Sequence, residues 1–138
     1  MNREILFRAK KVDGSEWIEG YYRYIPCINR HSILPTNPKN EQEEYRVISE
    51  TVGQYTGLTD KNGKKIFEGD ILRHADETIL KTVWNDRKYG FAAQCVKGSV
   101  LLKDCKWGLW EFESDEVEVI GNMFDNPELL KGEENGCN

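Results

Sequence analysis

Five polar side chains crowd into one short stretch of the chain: Thr56, Asp60, Lys64, Glu68 and Asp70. Carboxylates gathered in this way hold a divalent cation, or exchange protons with a substrate, when they converge on a pocket. Asp70 is the residue a cation would claim. The same residues have a plainer reading, in which Asp60 shapes the turn at Asn62-Gly63 and Glu68-Gly69-Asp70 forms a corner whose carboxylates accept backbone N–H bonds. Turn geometry accounts for nearly all of them without a ligand. No catalytic, cofactor-binding or metal-binding residue is therefore assigned, and no cofactor is expected.

A second constellation is Cys27 and His31, in Cys-x3-His spacing, with Cys95 and Cys105 further along. Thiolates and imidazole suit zinc, but structural zinc sites show two close pairs, and Cys95 and Cys105 are separated by nine residues. Cys95 reads better as a small apolar residue inside a strand. No nucleophile signature surrounds either histidine, and His74, just after GDIL, reads as an edge or surface residue. The phosphate-cradling GxxxxGK[ST] pattern is absent, and Gly63-Lys64 belongs to a hairpin, not to a strand-to-helix turn. The expectation is a protein that is not an enzyme.

Binding surfaces are easier to find. Tyr21, Tyr22, Arg23 and Tyr24, with Lys61, Lys64 and Lys65, supply the aromatic faces and cations that single-stranded nucleic acid requires. Tyrosines on a strand also pair across a sheet, and lysines also solubilise a turn. Trp107 and Trp110, separated by Gly108-Leu109, mark an aromatic surface for a protein partner or for self-association, unless they pack in the core. A protein-interaction module is the first expectation, and a small nucleic-acid-binding barrel is the alternative.

The elements that must carry these residues are strands. Around Asp13-Gly14, FRAKK and EWIEGYYRY read as a first β-hairpin, with Ile18, Tyr22 and Tyr24 on one side of a period-two pattern. Gly20 interrupts that pattern and marks a bulge or a close backbone approach. From Pro26 to Glu44 the pattern dissolves into turn formers, and a long mobile loop is expected. Asn62-Gly63 predicts a type I′ turn, since Asn and Gly tolerate positive φ best. Beyond it, TILKTVW, GFAAQCV, SVLL, GLWEF and EVEVIGNMF read as successive strands, with Asp86 to Gly90 as a hairpin connection. Asp125-Asn126-Pro127 starts one short helical turn carrying Leu129 and Leu130. The expected fold is mainly β: an N-terminal hairpin unit, then a small bent sheet or SH3-like barrel, closed by that helical turn.

Bulk properties agree with this picture. The chain of 138 residues suits one domain, with residues 1–46 as hairpin and loop, 47–130 as the barrel-like part and 131–138 as a flexible tail. A chain of this size buries enough surface to need no covalent staple. No signal-peptide core or membrane-spanning run is present, and the four cysteines have no disulfide-like spacing, so a cytoplasmic protein with free thiols and no membrane contact is expected. Residues 111–138 hold nine acids against Lys131 alone, a local balance of −8 within a chain of −5, which leaves residues 1–110 at +3. That asymmetry permits a nucleic-acid face without demanding one.

Three blocks carry a family resemblance. FRAKKVDGSEWIEG, TVGQYTGLTDKNGKKIFEGDIL and EVIGNMFDNPELL, in this order along the chain, resemble the YopX family of bacteriophages and prophages. The resemblance implies a β-rich fold, a phage or prophage setting and residence in the bacterial cytoplasm. It transfers no catalytic residue, and the biochemical activity it implies is unknown.

Overall fold

A computed structural model describes residues 4–98 and 106–131. The chain is mainly β and divides into two compact units, residues 1–55 and 56–138. The strands form two antiparallel sheets, and among the described residues the helical elements are short 3-10 turns.

In the first unit, β1 (Phe7–Lys10) and β2 (Trp17–Ile25) form the expected N-terminal hairpin, in register Phe7↔Gly20 to Lys10↔Trp17. Its connection is longer than a two-residue turn: Lys11 N donates to Glu16 O and Gly14 N to Lys11 O. β3 (Arg30–Pro35) pairs along β2, and β4 (Tyr45–Arg46) pairs with β3. Ala9, Ile33 and Val47 form the core of this unit, with Phe7, Ile18, Tyr22 and Val52 packed against it. Gly20 is the point of close approach: a Cβ there would lie 2.1 Å from the Leu34 carbonyl oxygen.

The long loop expected from Pro26 to Glu44 is corrected. Pro26–Ile28 forms a 3-10 turn, Asn29 takes φ 50°, and β3 follows at once with Ser32 and Ile33 fully buried. Only residues 36–44 remain as connection. Pro35 ends the strand rather than precluding it, because its missing N–H falls at the terminus.

β5 (Gly53–Thr59) runs across the division, its first residues pairing with β1 and its remainder with β6 (Lys65–Phe67). The β5–β6 turn is not type I′. Only Gly63 has positive φ, at +79°, with Gly63 N donating to Asp60 O and Asp60 N to Lys64 O. The Asp60 carboxylate accounts for the difference, because it accepts from Asn62 N and Lys64 N at 2.9 Å and holds Asn62 out of the left-handed region.

The main sheet of the second unit comprises β7 (Asp70–His74), β8 (Ile79–Asn85), β9 (Gly90–Lys97), β10 (Lys106–Gly108) and β11 (Val117–Asn122). Its order is β10-β9-β8-β7-β11. Among the described residues no further strand pairs with β10 or β11, although the β5–β6 turn bonds to β11 through Lys61 N and Val117 O, so the small sheet is the observed form and a closed SH3-like barrel is not. Leu72, Leu80, Ala93, Cys95, Leu109 and Val117 form its core with Ile66. Cys95 is thus the small apolar strand residue expected.

GLWEF is also corrected: after β10 it turns into the 3-10 segment Leu109–Glu111, stabilised by Gly108 N donating to Glu111 Oε2 and by full burial of Leu109. The 3-10 turn Pro127–Leu130 matches the expected helical turn, with Asn126 as its cap and Leu129 and Leu130 half-buried. SVLL, Cys105, Cys137 and the tail beyond Lys131 lie outside the described residues.

Candidate functional site

Asp60 and Asp70 of the turn-dense stretch are bonded to backbone N–H groups. Asp60 is buried and accepts three N–H bonds at 2.9 Å, from Asn62, Lys64 and Val119. Burial pushes its carboxyl up, but the N–H groups of Val119, Lys64 and Asn62, with the Lys64 ammonium, more than offset this and hold it below the ordinary aspartate value. Asp70, fully buried, accepts from Phe67 N at 2.8 Å, and Gly69 N donates to Thr82 O. Thr56 donates to Ile66 O. These residues fold a corner and tie it to β11. Among the described residues no three His, Cys, Asp or Glu side chains gather in a way that could hold a metal ion.

The residues proposed for nucleic acid fall on different units. Tyr21, Tyr22, Arg23 and Tyr24 lie on β2 in the first, and Lys61, Lys64 and Lys65 lie on the β5–β6 hairpin of the second. Tyr22 is half-buried, with its hydroxyl 2.5 Å from His31 Nδ1. Tyr24 stacks on the His31 ring at 4.4 Å and 19°. His31, weighed from sequence only as a zinc ligand, is therefore an aromatic spacer between two tyrosines. Tyr21 is exposed, and Arg23 is tied to Glu44 at 2.5 Å, which removes the only cation within that run. Lys61 faces Glu118 at 3.8 Å and Lys64 is exposed.

A cavity of about 170 Å3 in the second unit is lined by His74, Asp76, Thr78, Leu80, Cys95, Trp107 and Phe112. Each position follows from local structure. Leu80 and Cys95 are a cross-strand pair of β8 and β9, so both turn to the same face. Trp107 stands on the edge strand β10 opposite Ala93 and remains 38% exposed. Phe112 follows the 3-10 turn that Leu109 anchors, and its ring meets His74 edge-on at 5.6 Å. The β7–β8 turn is shaped by Asp76, whose Oδ1 accepts from Thr78 N at 2.9 Å.

His74 closes one side of this cavity between two carboxylates. Its Nδ1 lies 3.0 Å from Asp76 Oδ1 and its Nε2 3.2 Å from Glu116 Oε2. Hydrogen bonds from Thr78, then from His74, hold Asp76 below the usual aspartate value. The Glu113 backbone N–H, then His74, does the same for Glu116. The expectation that His74 is an edge or surface residue is corrected: β7 is paired on both sides, with His74 opposite Val117, and the ring is half-buried. The sequence signal lay in His-Ala-Asp-Glu-Thr, where an Asp two residues before Thr is the pattern of a side-chain-capped turn that folds back over the preceding residue.

The cavity combines a largely apolar lining with one carboxylate, Asp76, beside His74. Of the residues proposed as a protein-contact surface, Trp107 forms part of its wall, whereas the side chain of Trp110 lies outside those described. The model of a family described as YopX protein matches residues 6–131 of the chain. A search of curated proteins finds no match.

Proposed function

The chain belongs to the YopX family, and from that premise we propose that it is a non-enzymatic interaction module serving as an accessory or regulatory protein of a phage or prophage in the bacterial cytoplasm. The observation that carries this reading is Trp107, a large half-exposed aromatic on a strand with no second strand partner among the described residues, walling an apolar cavity with Phe112. Tryptophan beside a desolvated pocket is the side chain most often found to dominate a protein contact, and an unpaired edge strand adds backbone groups that a partner can use. The charges around it name the partner's complement. Among the described residues Asp76 is the one carboxylate in the lining of the cavity, and no lysine or arginine lines it.

The nucleic-acid reading keeps one supporting observation, the exposed Tyr24 ring stacked on His31, on which a base could continue the stack. It ranks second because Arg23 is already paired and the second unit carries net negative charge. The two readings part in one experiment. The chain and its Trp107→Ala variant are used to capture partners from induced host cells, with and without nuclease. A protein retained by the parent after nuclease and lost by the variant supports the interaction module. Capture that vanishes with nuclease and ignores the variant refutes it in favour of nucleic acid.

A further inference from the structure

The β8–β9 hairpin presents a second exposed surface at its far end. Tyr89 is 83% exposed and takes φ 51°, a backbone conformation that costs energy for a bulky residue. Arg87 and Lys88 beside it are exposed and form no ion pair with another described residue. At the base of this tip Trp84, 43% exposed, packs edge-on against Phe91 at 5.2 Å. An exposed tyrosine following two cations, held in a strained turn of a hairpin that also exposes a tryptophan, has the composition of a contact hot spot and contributes nothing visible to its own core.

This tip complements the cavity described above. The tip is aromatic and carries Asp86, Arg87 and Lys88, a net charge of +1, and the cavity is apolar with Asp76 in its lining. A cavity of about 150 Å3 accepts an aromatic ring, and this one encloses about 170 Å3. Asp76, with 56% of its side chain exposed, stands where a phenol hydroxyl or guanidinium would meet it. The tip cannot fill the cavity of its own molecule. Leu80 marks the cavity end of β8 and Asn85 the tip end, five residues apart, or roughly 17 Å at strand rise.

Resting on the interaction reading, we infer that the occupant of the cavity is a second copy of this chain, whose Tyr89 enters between Trp107 and Phe112 while Arg87 or Lys88 meets Asp76. Tip and cavity sit at opposite ends of one hairpin, so two copies lying antiparallel satisfy both contacts at once. A closed pair is the expected assembly.

Sedimentation velocity over a concentration series tests the inference on the full chain. The parent chain should form dimers that added salt weakens. Tyr89→Ala should weaken them about 30-fold or more, as loss of a hot-spot side chain does, and Tyr89→Phe should largely restore them. Trp107→Glu, which places a charge in the cavity wall, should also give monomers. Mixing the Tyr89→Ala and Trp107→Glu proteins should give a heterodimer weaker than the parent dimer but stronger than either variant's own, because it keeps one of the two tip-to-cavity contacts. Circular dichroism confirms that each variant is folded. A parent chain that stays monomeric, or a dimer indifferent to Tyr89→Ala, overturns the inference. A labelled peptide of residues 84–91 separates that failure from failure of the interaction reading. If the peptide binds a monomeric parent chain and not Trp107→Glu, the cavity is a docking site for a different basic partner. If it binds neither, the interaction reading falls as well.

Discussion

Removing the Asp60 carboxylate should be among the most costly single changes in the second unit. Its three acceptor bonds are not equivalent. Asn62 and Lys64 are exposed, so their N–H groups can turn to water and the loss there comes to about 1 kcal/mol. The third bond runs from Val119 N, in the interior of the β7–β11 pairing, to Asp60 Oδ2 and spans 59 residues of chain. A bond to a buried charged acceptor contributes about 1.5–3 kcal/mol, and its loss leaves the Val119 N–H unsatisfied beside the β11 irregularity. Asp60→Ala should therefore lower unfolding stability by about 3 kcal/mol or more. Asp60→Asn keeps an oxygen for the turn but aims an NH2 group at the Val119 N–H, and should lose about 2 kcal/mol. Urea unfolding followed by tryptophan fluorescence reads both, as a lower midpoint at unchanged slope. The pH dependence supplies a second readout. The native carboxyl lies below its unfolded value, so its contribution is fully present above the unfolded pKa of about 3.9 and disappears as pH falls through the lower native value. The gap between parent and Asp60→Asn should be constant from pH 7 to about 5 and close below about pH 4. An Asp60→Ala protein within about 1 kcal/mol of the parent, or a gap that persists at low pH, would refute the assignment of Asp60 as the clasp between the β5–β6 turn and β11.

Two further changes test the packing. Gly20→Ala should gain about 0.5–1 kcal/mol from a stiffer unfolded chain. It should lose about 3 kcal/mol or more from a Cβ placed 2.1 Å from the Leu34 carbonyl oxygen, so a clearly lower urea midpoint is expected and an unchanged one would contradict the close β2–β3 approach. Thr82→Val should do the opposite: Thr82 is 1% exposed and its hydroxyl has no hydrogen-bond partner among the described residues, so an isosteric methyl should raise stability by about 1 kcal/mol. A fall in midpoint would show that the hydroxyl is satisfied after all.

Local chemistry was readable wherever a few neighbouring residues decide the outcome. Asp13-Gly14, Asn62-Gly63, Glu68-Gly69-Asp70 and Asp86 to Gly90 all mark chain reversals, because turns depend on backbone conformations that only certain residues adopt at low cost. The Gly20 approach was visible for the same reason, as an alternation with one side chain missing. The β3 strand was hidden because Pro26, Asn29 and Pro35 bracket RHSILP and imitate a loop. What makes it a strand is the row of β2 backbone groups beside it. The β5–β6 turn type was misjudged because a carboxylate outside the Asn-Gly pair selects the geometry.

The candidate site was less legible still. Trp107 stood out by type, but Leu80, Cys95 and Phe112 look like any core residues, and His74 looked peripheral. Sequence alone determined that the chain is built of strands joined by glycine and Asx corners, because alternation and turn propensity act over a few residues. Tertiary structure alone decided which strands are neighbours, which edges stay open and which side chains meet around the cavity. Those outcomes depend on pairings between residues far apart in the chain, such as Trp107 with Ala93 and Val119 with Asp60, which no local pattern encodes.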